Sequence, residues 1–212
     1  QYMGKNLNSD IEACFRPDSI TTQSCRHIKK CLNCELNLSG KNILVIGGSR
    51  GIGAVISKIV TIYGGKVTLT YFKGLKEARL IAKDIKDFGG ELIIKKLDIR
   101  NERDIKKITN SFDHIYYFPT PRITKNININ FDKELYKNYL QYYVEGFEKV
   151  INFFYKNKRM KIIYPSTIFI EKKEKGLSEY IAAKIQGELI ASKHLSKKYL
   201  KIYKPRIPPV LT

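Results

Sequence analysis

The chain has 212 residues, of which 43% are hydrophobic and 28% charged, as in an ordinary globular protein with one full-sized domain. No apolar run approaches the roughly 20 residues that a membrane-spanning helix needs, so we expect no membrane partner. Lysine and arginine together number 39 against 20 acidic residues, and the net charge of +19 favours anionic partners.

The basic residues are spread along the whole chain and do not form one stripe. Without a nucleic-acid-binding motif, this distribution predicts a solvated basic surface and no nucleic-acid partner. A phosphate-bearing cofactor or an acidic protein suits the sign of the charge equally well. The sequence begins at Gln1 without a basic and then apolar leader, so we expect a cytoplasmic protein.

Residues 1–40 have no sustained periodicity, and we interpret them as an irregular N-terminal arm before a domain at 41–212. All four cysteines lie in this arm, at Cys14, Cys25, Cys31 and Cys34. The last two have the spacing of a zinc knuckle, but Cys14 fits no standard ligand pair, so we predict reduced thiols and no metal.

From residue 41 the pattern alternates between short apolar runs and helix-length amphipathic stretches. Strands are predicted at 43–46, 66–72, 91–99, 114–118, 161–166 and 201–204. Helices are predicted from the glycine turn to Ile62 and over about 76–88, 102–111, 132–155 and 178–198. Parallel strands joined by helical crossovers predict a doubly wound α/β fold of the Rossmann type.

The turn after the first strand reads GGSRGIG, from Gly47 to Gly53. It leaves a buried type of strand and opens a helix, where glycines allow a tight turn and let backbone amides approach a pyrophosphate. This context favours a nucleotide-binding turn over a merely structural one.

The spacing of Gly47, Gly51 and Gly53 resembles that of the short-chain dehydrogenase/reductase family. YIAAK, from Tyr180 to Lys184, is similar to the Tyr-x-x-x-Lys catalytic pair of that family and follows the fifth strand, as it does there. Residues four apart share a helix face, and a nearby ammonium is expected to lower the pKa of the Tyr180 phenol. The resemblance implies that Lys184 also holds the nicotinamide ribose.

The resemblance also implies a hydroxyl that holds the substrate carbonyl at the end of the fifth strand, where the chain offers Ser166 and Thr167. Serine is the more usual residue type, whereas Thr167 has the more usual interval to Tyr180. We favour Ser166 and keep Thr167 open.

The cofactor expected from the resemblance is NADP(H), because no acid follows the second strand to bind the ribose hydroxyls of NAD. Arg50 and Lys73 are positioned to pair with a 2′-phosphate instead. Asp98 and Ile99 resemble the Asp-Val of the family that contacts adenine. The predicted cofactor-binding residues are Gly47, Ser49, Arg50, Gly51, Ile52, Gly53, Tyr71, Lys73, Asp98, Ile99, Lys184 and Pro205.

Two places depart from the family pattern. Residues 117–120 read YFPT where the family has Asn-Asn-Ala-Gly, and Tyr143 stands at the position of its proton-relay asparagine. The chain stops at Thr212, where members usually continue through a substrate lid and a further strand, so we expect both to be absent.

The sequence therefore predicts an NADP(H)-dependent reductase that converts a ketone to an alcohol. A 3-oxoacyl thioester on an acidic acyl carrier protein is the substrate that the basic charge favours. The alternative is a scaffolding domain that binds a nucleotide without efficient turnover. The resemblance implies a homodimer built on the helices at 132–155 and 178–198.

Overall fold

A computed structural model describes residues 23–125, 130–156 and 158–209. These residues form two compact units, which divide between Lys96 and Leu97. Cys14 and the rest of residues 1–22 lie outside the described residues. Among the helices that the structure describes, none combines the length and apolar character needed to span a membrane.

The first unit contains three parallel strands in the order β3-β2-β1. They are β1 Asn42–Ile46, β2 Lys66–Tyr71 and β3 Leu92–Lys96. The helices are α1 Cys25–Cys31, α2 Gly51–Ile62 and α3 Leu75–Asp87. Residues 43–46 are all almost fully buried, as expected for a parallel strand that is covered on both faces.

The second unit contains parallel strands in the order β4-β5-β7 and a separate short parallel pair, β6 with β8. The strands are β4 His114–Tyr117, β5 Met160–Ile163, β6 Ser166–Thr167, β7 Leu200–Tyr203 and β8 Arg206–Ile207. The helices are α4 Glu102–Lys106, α5 Lys133–Leu140, α6 Gly146–Phe154, α7 Phe169–Lys172 and α8 Ser178–Lys193. A single 3₁₀ turn, His194–Ser196, follows α8.

Parallel strands that alternate with helices confirm the predicted Rossmann-type α/β fold. Several predicted boundaries are wrong. The strand predicted at 91–99 ends at Lys96, so Asp98 and Ile99 lie in the turn after it. The strand predicted at 161–166 ends at Ile163, and Ser166 belongs to a second ladder.

Three predicted helices are also shorter or interrupted. The helix predicted at 102–111 ends at Lys106, and the one at 178–198 ends at Lys193. The helix predicted at 132–155 is broken by a π-helical turn, Gln141–Glu145, which adds a residue to the helix path. Tyr139 and Tyr143, before and within this turn, are both buried, and the helical periodicity of the sequence does not record the break.

The N-terminal arm is not irregular throughout, because α1 is a regular helix. A seven-residue helix is not stable alone, and tertiary contacts hold this one. Its Ile28 is buried, and the backbone amide of Cys25 donates to the Asp84 carboxylate at 3.1 Å. Asp84 in turn pairs with the buried Lys58 ammonium at 2.8 Å.

The cysteines differ from one another in state. Cys25 is a free buried thiol, and burial together with the Asp84 carboxylate raises its pKa to about 12. Cys34 is a free exposed thiol 2.9 Å from the Tyr63 hydroxyl. Cys31 is disulfide-bonded, so the prediction of reduced thiols is wrong for this residue. Among the described residues, no group of three potential ligands is placed to hold a metal ion.

Candidate functional site

The first unit positions the glycine turn, residues 47–53, between β1 and α2. Gly47 and Gly51 have positive φ angles of 74° and 52°, which other residues rarely adopt. A Cβ at Gly53 would lie only 2.4 Å from the Gly47 carbonyl oxygen, so the turn requires glycine there. The amide of Gly48 donates to the Thr70 carbonyl at 2.9 Å, which ties the turn to the end of β2.

The geometry fits a phosphate group. The first turn of α2 follows directly and includes Ile52, and the amides at this helix start face outward without intrahelical partners. Ser49 is nearly buried beside the turn. The backbone thus provides the donors for a pyrophosphate, and the glycines keep side chains out of its way.

The turn between β2 and α3 follows Tyr71 and contains Lys73, whose ammonium lies 5.8 Å from the centre of the exposed Phe72 ring. Arg50, predicted to hold a 2′-phosphate, makes an ion pair with Glu77 in the first turn of α3, with its Nε 2.9 Å from Oε1. Glu77 was not among the predicted site residues, because it follows the end of β2 by six residues.

Three predicted catalytic residues come together in the second unit. Tyr180 lies in the first turn of α8 and Lys184 one turn further along the same helix, and both are nearly buried. The Thr167 hydroxyl lies close enough to the Tyr180 phenol to lower the pKa of the phenol as a hydrogen-bond donor. Thr167, from β6, is therefore the hydroxyl that accompanies Tyr180.

Ser166, which was favoured over Thr167 as the hydroxyl that holds the substrate carbonyl, does not join this group. Its hydroxyl donates to Glu188, whose other oxygen pairs with Arg206 at 2.8 Å. Alternate residues of a strand point to opposite sides, so only one of two neighbouring hydroxyls reaches Tyr180. The backbone amide of Ser166 donates to the Pro205 carbonyl at 2.8 Å, which places Pro205 in the ladder between β6 and β8.

The Lys184 ammonium lies inside a cage of tyrosine rings. It donates to the Pro165 carbonyl at 2.7 Å, and it lies 4.0 Å from the centre of the Tyr143 ring and 4.9 Å from that of Tyr164. Burial lowers the pKa of Lys184 to about 7, opposed only in part by the Glu188 carboxylate. We call Tyr143, Tyr164, Thr167, Tyr180 and Lys184 the tyrosine–lysine cluster.

Burial also raises the pKa of Tyr180 above its usual value, and the bond with Thr167 only partly offsets this. The expectation that Lys184 lowers the pKa of the Tyr180 phenol is wrong for this structure. A desolvated amine with a pKa near 7 carries little positive charge to stabilise a phenolate at higher pH.

Both departures from the family pattern build this cluster. Tyr117 turns inward and packs on Phe147 and Tyr164, with ring centres 5.1 Å and 6.1 Å away. Thr120 shares a hydrogen bond with the Tyr143 hydroxyl. The Tyr164 hydroxyl donates to the Tyr143 carbonyl at 3.1 Å, so both polar ends of Tyr143 are already bonded.

The tyrosine cage also depends on Gly187 in α8. A Cβ at this position would lie 1.9 Å from the Tyr164 hydroxyl oxygen and 2.8 Å from the Tyr143 carbonyl oxygen. The sequence offered one signal for this contact, since a glycine inside a helix often marks a close approach.

Asp98 and Ile99, the predicted adenine contacts, begin the second unit. Asp98 forms a two-point ion pair with Arg100, at 2.9 Å and 2.7 Å, and this bonding lowers the pKa of its carboxyl. Ile99 is buried, with its side chain near Gly146 of α6. Their side chains are thus engaged within the unit.

The structure thus combines a Rossmann-type α/β fold with a glycine-rich turn after β1 and a group of Tyr180, Thr167 and Lys184. Residues 41–117 match the model of the short chain dehydrogenase family. A similar protein is the short chain dehydrogenase/reductase dmxR18 of Cryptosporiopsis sp., 35% identical over 71 residues. That alignment covers 34% of this chain and 27% of the relative, so the chain matches about a quarter of the relative's length.

Solved structures share the fold beyond the segment that matches in sequence. The angucycline C-6 ketoreductase LanV with bound NADP is 21% identical, with a TM-score of 0.69 over 79% of this chain and 72% of that one. L-Sorbose reductase from Gluconobacter frateurii, complexed with NADPH and L-sorbose, is 14% identical. Its TM-score is 0.70 over 82% of this chain and 71% of that one.

Proposed function

We propose that the protein is an NADP(H)-dependent oxidoreductase that reduces a ketone to an alcohol. The observation that carries this proposal is the grouping of the Thr167 hydroxyl and the Tyr180 phenol with Lys184, which lies one helical turn further along α8. The ketoreductase and the sorbose reductase with a similar fold, whose structures contain NADP and NADPH, support the same reaction class.

The glycine turn would hold the pyrophosphate, and Arg50 and Lys73 would pair with the 2′-phosphate. When bound, NADPH supplies the hydride that is added to the carbonyl carbon. Within the second unit, Thr167 donates a hydrogen bond to the carbonyl oxygen, and Tyr180 transfers its proton to that oxygen as the alcohol forms. Because burial raises the pKa of Tyr180, the phenol keeps its proton at neutral pH, which suits the direction of reduction.

A second candidate is a nucleotide-binding scaffold without efficient turnover. It is favoured by the position of Lys184, which is already bonded to Pro165 and enclosed by the Tyr143 and Tyr164 rings. An amine held in this way has less freedom to bind a ribose hydroxyl.

Two partners remain part of the proposal. The net charge of +19 supports a substrate presented by an acidic acyl carrier protein as a 3-oxoacyl thioester. The exposed Ile185 and Leu189 on α8 support a homodimer that uses this helix.

The test measures binding and turnover separately. We expect NADPH titration to enhance nicotinamide fluorescence, and a ketone panel to reveal oxidation of NADPH. Tyr180→Phe should lower the rate about 10³-fold without changing NADPH affinity, because only the proton donor is lost. Tyr199→Phe, which changes an exposed tyrosine of the same unit, is the control.

The outcomes separate the candidates. NADPH binding without Tyr180-dependent oxidation across the panel would favour the scaffold. Failure to bind either NADPH or NADH would rule out both.

A further inference from the structure

An acidic side chain lies beside the glycine turn even though the end of β2 carries none. Glu77 reaches back from the first turn of α3, and its Oε1 accepts from Nε of Arg50 at 2.9 Å and from Nη2 of the same side chain. The carboxylate thus occupies one edge of the guanidinium that was assigned to the 2′-phosphate. The glycine turn is therefore flanked by an ion pair, in which the carboxylate neutralises the guanidinium.

This arrangement is built closely around Gly74. A Cβ at Gly74 would lie 2.7 Å from the Ser49 hydroxyl, 3.3 Å from Nε of Arg50 and 3.3 Å from Oε2 of Glu77. A larger residue at Gly74 would displace the ends of these three side chains. The backbone amide of Glu77 itself, and then the Arg50 guanidinium, hold the pKa of the Glu77 carboxyl below its usual value, so it is ionised at neutral pH.

The two groups recognise different forms of the same ribose. A carboxylate accepts hydrogen bonds from the 2′- and 3′-hydroxyls of NADH and repels the 2′-phosphate of NADPH. A guanidinium binds that phosphate through two parallel hydrogen bonds. While the two groups are paired, Glu77 neutralises the guanidinium that would bind the phosphate of NADPH. Arg50 in turn occupies one oxygen of the carboxylate that would bind the ribose hydroxyls of NADH.

We propose that the Arg50–Glu77 ion pair determines cofactor specificity. Because of this pair, the protein binds both NADH and NADPH, with a modest preference for NADPH. This inference rests on the proposed function, because it concerns the same dinucleotide site. Binding of NADPH exchanges the carboxylate partner of Arg50 for a phosphate and adds no new ion pair. Binding of NADH keeps the ion pair and uses the second oxygen of Glu77.

The experiment compares dissociation constants for NADPH and NADH, measured by nicotinamide fluorescence without a ketone. In Glu77→Gln we expect the preference for NADPH over NADH to rise about tenfold, the effect of one charge-assisted hydrogen bond. In Arg50→Gln the preference should fall about tenfold for the same reason.

Matched controls remove the same charges elsewhere in the first unit. Glu91→Gln alters an exposed carboxylate 3.7 Å from Lys66, and Arg79→Gln alters an exposed arginine of α3. Both controls should keep the wild-type preference for NADPH over NADH. They change the net charge of the protein by the same amount as the test variants but leave the Arg50–Glu77 ion pair intact.

The results distinguish this inference from the proposed function. If the wild type binds NADPH but Glu77→Gln shows the same preference as Glu91→Gln, the inference is overturned and the proposed function stands. If the wild type binds neither dinucleotide, both are overturned.

Discussion

The charged groups beside the glycine turn are exposed to solvent, whereas the amine in the tyrosine–lysine cluster is buried. In the first unit, Arg50 and Glu77 form an ion pair in which the two side chains are 63% and 40% exposed. In the second unit, Lys184 is only 7% exposed, and desolvation makes its charged form unfavourable. The comparison indicates that a charge pair at the surface costs the fold little, whereas the buried amine weakens the fold because it is desolvated.

The sharpest test of this difference is the pH dependence of stability. Burial lowers the pKa of Lys184 to about 7, so between this value and the unfolded pKa of ~10.4 the unfolded chain binds more protons. Lys184 should therefore contribute a rise of about 3 kcal/mol to the free energy of unfolding from pH 7 to pH 10. In the wild type, the raised pKa values of Cys25 and the buried tyrosines offset part of this rise. Lys184→Met should lack this rise, as measured by urea denaturation at both pH values.

The matched control is Lys193→Met, which removes a lysine that is 68% exposed on the same helix. It should keep the wild-type pH dependence. Parallel curves for Lys184→Met and the wild type would mean that the amine is not desolvated, and the contrast between the two regions would disappear.

Within the tyrosine–lysine cluster, the two neighbouring hydroxyls should separate catalysis from stability. Thr167→Val should lower kcat/KM about 100-fold, because it removes the donor to the carbonyl oxygen but keeps the side-chain shape. Ser166→Ala should leave kcat/KM within a fewfold and lower the free energy of unfolding by about 1 kcal/mol, because Glu188 loses a hydrogen bond. Steady-state kinetics and urea denaturation measure the two effects, and the reverse order would show that Ser166 is the catalytic hydroxyl.

Gly187→Ala should destabilise the second unit by about 2 kcal/mol, because its Cβ would overlap the Tyr164 hydroxyl. Alanine is otherwise favoured over glycine in a helix by about 1 kcal/mol, so the sign of the change tests the packing directly. Thermal denaturation measures the effect, with the exposed Gln186→Ala as control. Adding Tyr164→Phe to Gly187→Ala should recover part of the loss, and no recovery would place the strain elsewhere.

The two regions also differ in how far the sequence could predict them. The glycine turn is a run of consecutive residues defined by its backbone conformation. That conformation follows from the local spacing of the glycines and from the flanking strand and helix. Tyr180 and Lys184 were predictable for a similar reason, since four residues along a helix bring side chains to one face. Family resemblance then supplied the roles that spacing alone leaves open.

What the sequence left undecided depends on contacts between distant segments. The choice of Thr167 over Ser166 is made by Glu188 and Arg206, and the environment of Lys184 is made by Tyr143 and Tyr164. Glu77 reaches Arg50 only because a turn brings α3 back to the glycine turn. The sequence by itself determined the Rossmann-type fold, the glycine turn and the placement of Tyr180 and Lys184 on one helix face, because each is encoded by short-range patterns. Only the tertiary structure decided which charges are paired and which are buried, because desolvation depends on neighbours that are remote in sequence.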